Sequence, residues 1–173
     1  MSMNFEDFIW HTLELEGGYV NHPKDPGGET KYGICKRQYP HLNIKDITKQ
    51  DAIDIYKRDY WDKARCDEFP VPLAFCLFDF SVNSGHPRAI RGLQAVSRTK
   101  VDGIIGTKTL EAVAKFYSED PLDAIKTYQA HRLTFLKKLR TWNTFGRGWK
   151  NRVERVQEVA VQAILEERFM ENY

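Results

Sequence analysis

The sequence predicts a mainly α protein, an α+β arrangement in which one small β-hairpin stands beside a helical body and a helical C-terminal part follows. Three observations carry this. Apolar residues recur at the 3.6-residue helical spacing in segments spread over the whole of the 173 residues. Turn-forming residues concentrate instead in one stretch, residues 16 to 34, where Gly17, Gly18, Pro23, Pro26, Gly27, Gly28 and Gly33 interrupt any helix. The most apolar run, Val71 to Val82, is broken by Asp79 and is too short to span a bilayer, so it reads as a central core helix and no stable membrane insertion is expected.

The first helix begins at Phe5, with Asn4 as N-cap, Asp7 completing the cap and Met3 stapled to Phe8. Phe5, Phe8, Ile9, Thr12 and Leu13 occupy one face, and Glu16 is the next member of that series. Glu16 is therefore expected to point where the apolar residues point, while Glu6, Asp7, His11 and Glu14 face solvent. Gly17-Gly18 ends the helix, because glycine accepts the left-handed conformation of a C-terminal cap. A carboxyl group in the last helical turn lies at the negative end of the helix dipole, and partial burial adds to that, so both effects raise its pKa. A carboxyl kept protonated near neutral pH suits a general acid. Taken alone, Glu-Gly-Gly is also an ordinary exposed helix end.

Asn21 to Ile34 carries two turn signals, Asn21-His22-Pro23 and Asp25-Pro26-Gly27-Gly28, between short runs at Tyr19-Val20 and Thr30 to Ile34. Thr48 and Asp51 then open a helix to about Arg65, with Ala52, Ile55 or Ile53, Tyr56 and Tyr60 inward; Trp61 is either core or the wall of a groove. After Pro70 and Pro72, Leu73 to Asn83 is apolar nearly all round. Asp79 within it needs a partner if buried; either Asp79 or Asn83 could instead approach a cleft. Gly85 and Pro87 start a helix with Ala89, Ile90, Leu93 and Val96 inward, and Thr107 is expected to cap the one holding Leu110, Val113 and Ala114. Asp120-Pro121 opens what reads as the longest helix, to about Trp142, with Leu122, Ile125, Tyr128, Arg132, Phe135 and Leu139 along one face. Arg132 there is a buried ion-pair partner or a stem lying across the seam. Phe145 to Trp149 reads as a loop, before a final helix with Val153, Val156, Ala160, Ala163 and Ile164 inward.

A helix ending in Glu and running into a small hairpin beside a helical body resembles the layout of lysozyme-like hydrolases. Glu16, Asp25 and Thr30 resemble the Glu, Asp and Thr set of phage-type lysozymes, with the same spacing from Glu to Asp and one residue fewer from Asp to Thr. The closer resemblance is to glycoside hydrolase family 108, N-acetylmuramidases found as phage endolysins and secretion-associated wall hydrolases. Glu16-Gly17-Gly18-Tyr19 and Asp25-Pro26-Gly27-Gly28-Glu29-Thr30-Lys31-Tyr32-Gly33-Ile34 match that family's signature almost residue for residue. The resemblance implies that Glu16 is the catalytic acid and leaves the second residue open. Asp25 is the first choice for activating water or stabilising the cation, Thr30 for positioning the water, and Glu29 is the reserve carboxylate. Tyr19, Glu29, Tyr32 and Asn83 are the expected substrate contacts. Asp102-Gly103-Ile104-Ile105-Gly106 resembles a turn of small peptidoglycan-binding helical domains, and Gly148-Trp149 with Asn151-Arg152 is similar to the end of the predicted peptidoglycan-binding region that accompanies family 108. The expected division is a lysozyme-like catalytic region over residues 1–95 and a helical peptidoglycan-binding region over 96–173, packed against it.

Charge is uneven. Residues 1–30 hold six acids against Lys24, whereas residues 137–155 hold seven bases against Glu154. A negative site suits an oxocarbenium-like transition state. A basic segment beside aromatic residues suits attachment to an anionic wall polymer, or is a solvated helix face. Cys35, Cys66 and Cys76 are odd in number and lack metal-ligand spacing, which argues for folding in a reducing cytoplasm. The acidic N-terminus has no signal-peptide pattern, so export to the periplasm through a holin or other secretion pore is expected. No zinc spacing, phosphate loop or nucleic-acid reader motif is present; no metal, cofactor or nucleic acid is expected, and the chain is expected to be monomeric. The reading is a peptidoglycan hydrolase cleaving the β-1,4 bond between N-acetylmuramic acid and N-acetylglucosamine, expected to be a phage endolysin for host lysis, with two rivals: a lytic transglycosylase, and a non-catalytic wall-binding or secretion-assisting protein.

Overall fold

The computed structural model describes residues 4–172, apart from the side chains of His11, Glu14, Leu15 and Glu16. The expected Met3 staple, the solvent-facing direction of His11 and Glu14 and the direction of Glu16 lie outside the described residues. The chain forms two compact units, one from Asn4 to Asp59 and one from Tyr60 onwards. Among the described residues there are seven α-helices and one two-stranded antiparallel sheet, a mainly α, lysozyme-like fold with a small hairpin.

In the first unit, α1 (Phe5–Glu16) starts on the expected capping box: the Asp7 N–H donates to Asn4 Oδ1 at 3.2 Å and the Asn4 N–H to Asp7 Oδ2 at 2.8 Å. Phe5, Phe8, Ile9, Thr12 and Leu13 are all buried, as the helical spacing requires. After Gly17 come β1 (Thr30–Lys31) and β2 (Ile34–Cys35), in register Thr30 with Cys35 and Lys31 with Ile34. Thr30 to Ile34 is therefore not one strand: it turns at Tyr32-Gly33, whose φ values of 52° and 76° are the two positive values of a tight hairpin turn. A short 3-10 turn at Ile44–Asp46 leads to α2 (Lys49–Tyr56), capped reciprocally by Thr48 and Asp51, with both Ile53 and Ile55 buried.

α2 ends at Tyr56 and does not run on to Arg65. A π-turn, Lys57–Trp61, follows, and its wider winding breaks the 3.6-residue count that extended the helix on paper. In the second unit Trp61 is 3% exposed, stands 5.7 Å from the Phe78 ring, and donates from Nε1 to Asp67 Oδ1 at 2.7 Å, so it is core and not a groove wall. α3 (Val71–Ser84) is buried from Pro72 to Ser81 and is the central helix of this unit. α4 (His86–Val96) buries Ala89, Ile90 and Leu93. The buried Gln94 side chain receives the Asp102 and Gly103 N–H groups and donates to Asp102 Oδ1 and the Ile104 carbonyl, which folds the predicted Asp-Gly turn over the end of α4.

Three further boundaries differ from expectation. α5 (Thr107–Glu119) has Gly106 as its N-cap, with Thr107 already helical and no side-chain cap bond. α6 (Pro121–Lys137) begins on Asp120 as expected, with Oδ1 accepting from the Leu122 and Asp123 N–H groups, but stops before Trp142. The longest helix is α7 (Trp142–Glu171), 30 residues that absorb the expected Phe145 to Trp149 loop. Gly146 and Gly148 looked like breakers; Gly146 is instead there because a Cβ would lie 2.5 to 2.8 Å from the Trp142 indole. A contact that close with an aromatic ring outweighs the roughly 1 kcal/mol of helix propensity that glycine gives up. Among the described residues no helix is long and apolar enough to cross a membrane.

Candidate active site

The site is built by closing a hairpin onto the end of a helix. α1 terminates at Glu16, and Gly17 takes φ 73°, a left-handed value that a side chain would resist. The chain then reverses, and Val20 and Thr30 exchange both backbone hydrogen bonds at 2.8 Å. Thr30 is thereby paired on both sides, with Val20 and with Cys35. The Tyr32 N–H donates to the Gly17 carbonyl at 3.2 Å, which ties the hairpin to the residue directly after Glu16. Tyr56 reaches across from α2 to donate its hydroxyl to the Tyr32 carbonyl at 2.8 Å, and the Lys31 ammonium donates to the Lys45 carbonyl at 2.9 Å. Sequence reasoning overlooked these two braces; Gly33 directly after Tyr32 was the available signal for the turn they support.

Within this frame the Tyr19 hydroxyl donates to Glu29 Oε1 at 2.8 Å. That bond, then partial loss of hydration and the Glu29 charge, holds the Tyr19 phenol above its ordinary pKa, so it stays a donor. Asp25 is exposed and folds back on its own turn, Oδ1 accepting from the Gly27 N–H at 2.8 Å while the Gly28 N–H donates to the Asp25 carbonyl at 3.1 Å. A side chain at Gly27 would meet that carboxylate at 3.2 Å. The half-buried Thr30 hydroxyl donates to the Gly28 carbonyl at a long 3.4 Å, a bond weak enough to exchange for another partner.

The structure thus joins Tyr19, Glu29, Thr30 and Tyr32 in one hydrogen-bonded hairpin directly after Glu16, with Asp25 in the adjoining turn. Asn83 belongs to the second unit, near the end of α3, where its Oδ1 accepts from the Ser84 hydroxyl at 3.1 Å. A separate groove of about 400 Å³ in the first unit is lined by Leu42, Asp46, Asp51, Asp54, Ile55 and Arg58 among others. Its acids have structural duties: Asp51 caps α2 and Asp54 receives the Gln50 amide. Among the described residues no cluster of His, Cys, Asp and Glu is arranged to hold a metal ion.

The sequence matches the family model described as Glycosyl hydrolase 108 over residues 9–85 and the one described as Predicted Peptidoglycan domain over residues 88–154. Among solved structures, the chain is similar to that titled "Structure of Brucella abortus SagA", at 39% identity over 91% of this chain and 94% of that one, with a TM-score of 0.80. No curated protein matches it. The two matches give the chain a role in hydrolysing or binding peptidoglycan. With its hairpin signature inside the first match, and most of α4, all of α5 and α6 and the first part of α7 inside the other, the chain belongs to the glycosyl hydrolase 108 family and carries a predicted peptidoglycan domain.

Proposed function

We propose that this protein is an N-acetylmuramidase that hydrolyses the β-1,4 bond from N-acetylmuramic acid to N-acetylglucosamine, serving as a phage endolysin. The observation that carries the reading is the bond from the Tyr32 N–H to the Gly17 carbonyl. It binds the end of α1, where Glu16 stands, to a hairpin bearing Asp25, Glu29 and Thr30. Glu16 protonates the leaving glycosidic oxygen; Asp25 activates water or stabilises the developing positive charge, and Thr30 positions the water. Glu29 holds Tyr19 against the sugar and is the reserve carboxylate. Tyr32 offers a ring face to a pyranose, and Asn83 is a further substrate contact. Cys35, Cys66 and Cys76, which form no disulfide among the described residues, suit a chain that folds in the cytoplasm and then reaches the periplasm through a holin or other pore.

Turbidity loss of chloroform-treated Gram-negative cells tests the acid. Glu16→Gln keeps the side-chain volume but has no proton to give at a useful pKa, so lysis should fall by ~10²- to 10⁴-fold with an unchanged Tm, or a higher one where the carboxyl is partly ionised and its charge opposes the helix dipole. Activity above a tenth of wild type would remove Glu16 from the mechanism. Mass analysis of the digest separates hydrolysis from transglycosylation: reducing ends are expected, and 1,6-anhydro ends would overturn the hydrolase reading.

A further inference from the structure

The N-terminal end of α7 carries three aromatic rings where the rest of its inward stripe carries Val153, Val156 and Ala160. Trp142, Phe145 and Trp149 fall at i, i+3 and i+7, one face of the helix. Trp149 stands 6.3 Å from Trp142 and 5.7 Å from Phe145, centroid to centroid, at tilts of 44° and 35°. Unlike a core cluster, the group is open to solvent: Phe145 is 53% exposed, and Trp142 and Trp149 are half-buried. Gly146 is the floor of this arrangement, since the Trp142 indole lies directly against the place its Cβ would take. Gly148 has open space around it and serves no such purpose. Further round the helix, Arg147, Lys150 and Arg155 are exposed, with Lys150 paired to Glu154 at 3.2 Å.

We propose that Trp142, Phe145 and Trp149 form a glycan-stacking subsite for peptidoglycan, in which the rings take the C–H faces of the amino sugars. The inference rests on the peptidoglycan role of the family and not on catalysis. Two features select this occupant. Flat, half-buried rings held in fixed tilt offer stacking faces to a rigid pyranose at little ordering cost. Exposed bases on the other faces of the same helix complement a polymer whose charges are carboxylates. A lipid surface would favour aliphatic side chains around the rings, and Phe145 has Thr144, Gly146 and Gly148 beside it instead.

The test is co-sedimentation of the full chain with purified sacculi at low and physiological salt, with anionic phospholipid vesicles in parallel. Phe145→Ala removes an exposed ring; Gly146→Ala removes none but drives Trp142 off its seat while favouring the helix; Gly148→Ala adds the same methyl where nothing is displaced. Expected are at least tenfold weaker sacculus binding for F145A and G146A, wild-type binding for G148A, a Tm at or above wild type for G148A and a lower but still cooperative melt for G146A. If F145A and G146A bind sacculi within twofold of wild type, the subsite does not exist. If they lose vesicle binding and keep sacculus binding, the patch is a membrane contact and the proposal fails. Failure of the muramidase reading looks different: sacculi stay intact while wild type still binds and F145A does not.

Discussion

At the scale of single residues, the polar heart of the second unit is one carboxylate shared by two guanidinium groups. Asp79 is 1% exposed; its Oδ2 accepts from Arg132 Nη1 at 2.8 Å, and its Oδ1 accepts from Arg152 Nη2 at 3.0 Å. Arg132 is wholly buried, its guanidinium 5.2 Å from the Phe80 ring, and its Nε and Nη2 find no hydrogen-bond partner among the described residues. Burial alone would raise the Asp79 carboxyl, but the Arg132 and Arg152 charges and hydrogen bonds outweigh it and hold the group below its ordinary value. The sign of the linkage follows: a depressed folded-state pKa gives stability that is complete above the unfolded value of 3.8 and is lost as pH falls through the lower folded one. Asp79→Asn should therefore cost about 3 to 5 kcal/mol near neutral pH, because it strands a buried Arg132. The difference from wild type should shrink as pH drops below 3.8. Thermal melts over that range would show it; a gap that persists unchanged at pH 2.5 would mean that Asp79 charge is not what matters. The sequence made Asp79 and Arg132 conspicuous as charges on apolar faces, but their pairing across 53 residues, and the entry of Arg152, are facts of the fold.

At the scale of elements, the hairpin turn shows how a site can run against local preference. Gly33 at φ 76° is the residue the turn wants, and Gly33→Ala should destabilise by roughly 1 to 2 kcal/mol. Tyr32 at φ 52° is not what it wants, since left-handed backbone favours Gly, Asn or Asp. A bulky residue kept in a strained position points to use of its side chain. Tyr32→Asn should hold or raise Tm while raising KM for glycan fragments several-fold; an unchanged KM would leave the Tyr32 ring without a substrate role. The elements themselves were legible wherever a cap coincided with a stripe: Asn4 with Asp7, Thr48 with Asp51, and Asp120 each mark a true start. They were illegible where tertiary contact overrode the local rule. The π-turn after Tyr56 shifts a period that residue counting assumes constant, and Trp142 turns Gly146 from a breaker into a requirement. The Glu16-to-Ile34 motif was legible as a family signature because its residues are close in sequence, whereas the brace from Tyr56 was not.

At the scale of the molecule, charge divides between the units. Up to Asp59 there are ten acids and eight bases, net −2; from Tyr60 onwards there are fourteen acids and eighteen bases, net +4. Peptidoglycan carries stem-peptide carboxylates, so the unit bearing the candidate catalytic residues repels the polymer on average while the other attracts it. Cleavage of an uncharged glycosidic bond is indifferent to distant fields, but capture of an anionic mesh is not. At about 0.15 M salt, charges are screened beyond ~8 Å, so the attraction comes from those exposed bases of this unit that lie within reach of the polymer. Raising salt from about 0.05 to 0.3 M, which shortens that screening length more than twofold, should weaken sacculus binding several-fold and slow lysis of sacculi in step. Turnover of short, uncharged chito-oligosaccharide fragments should change little over the same range. Parallel loss on both substrates would mean that salt acts on the hydrolytic step itself, and the division of labour drawn from the charge distribution would be wrong.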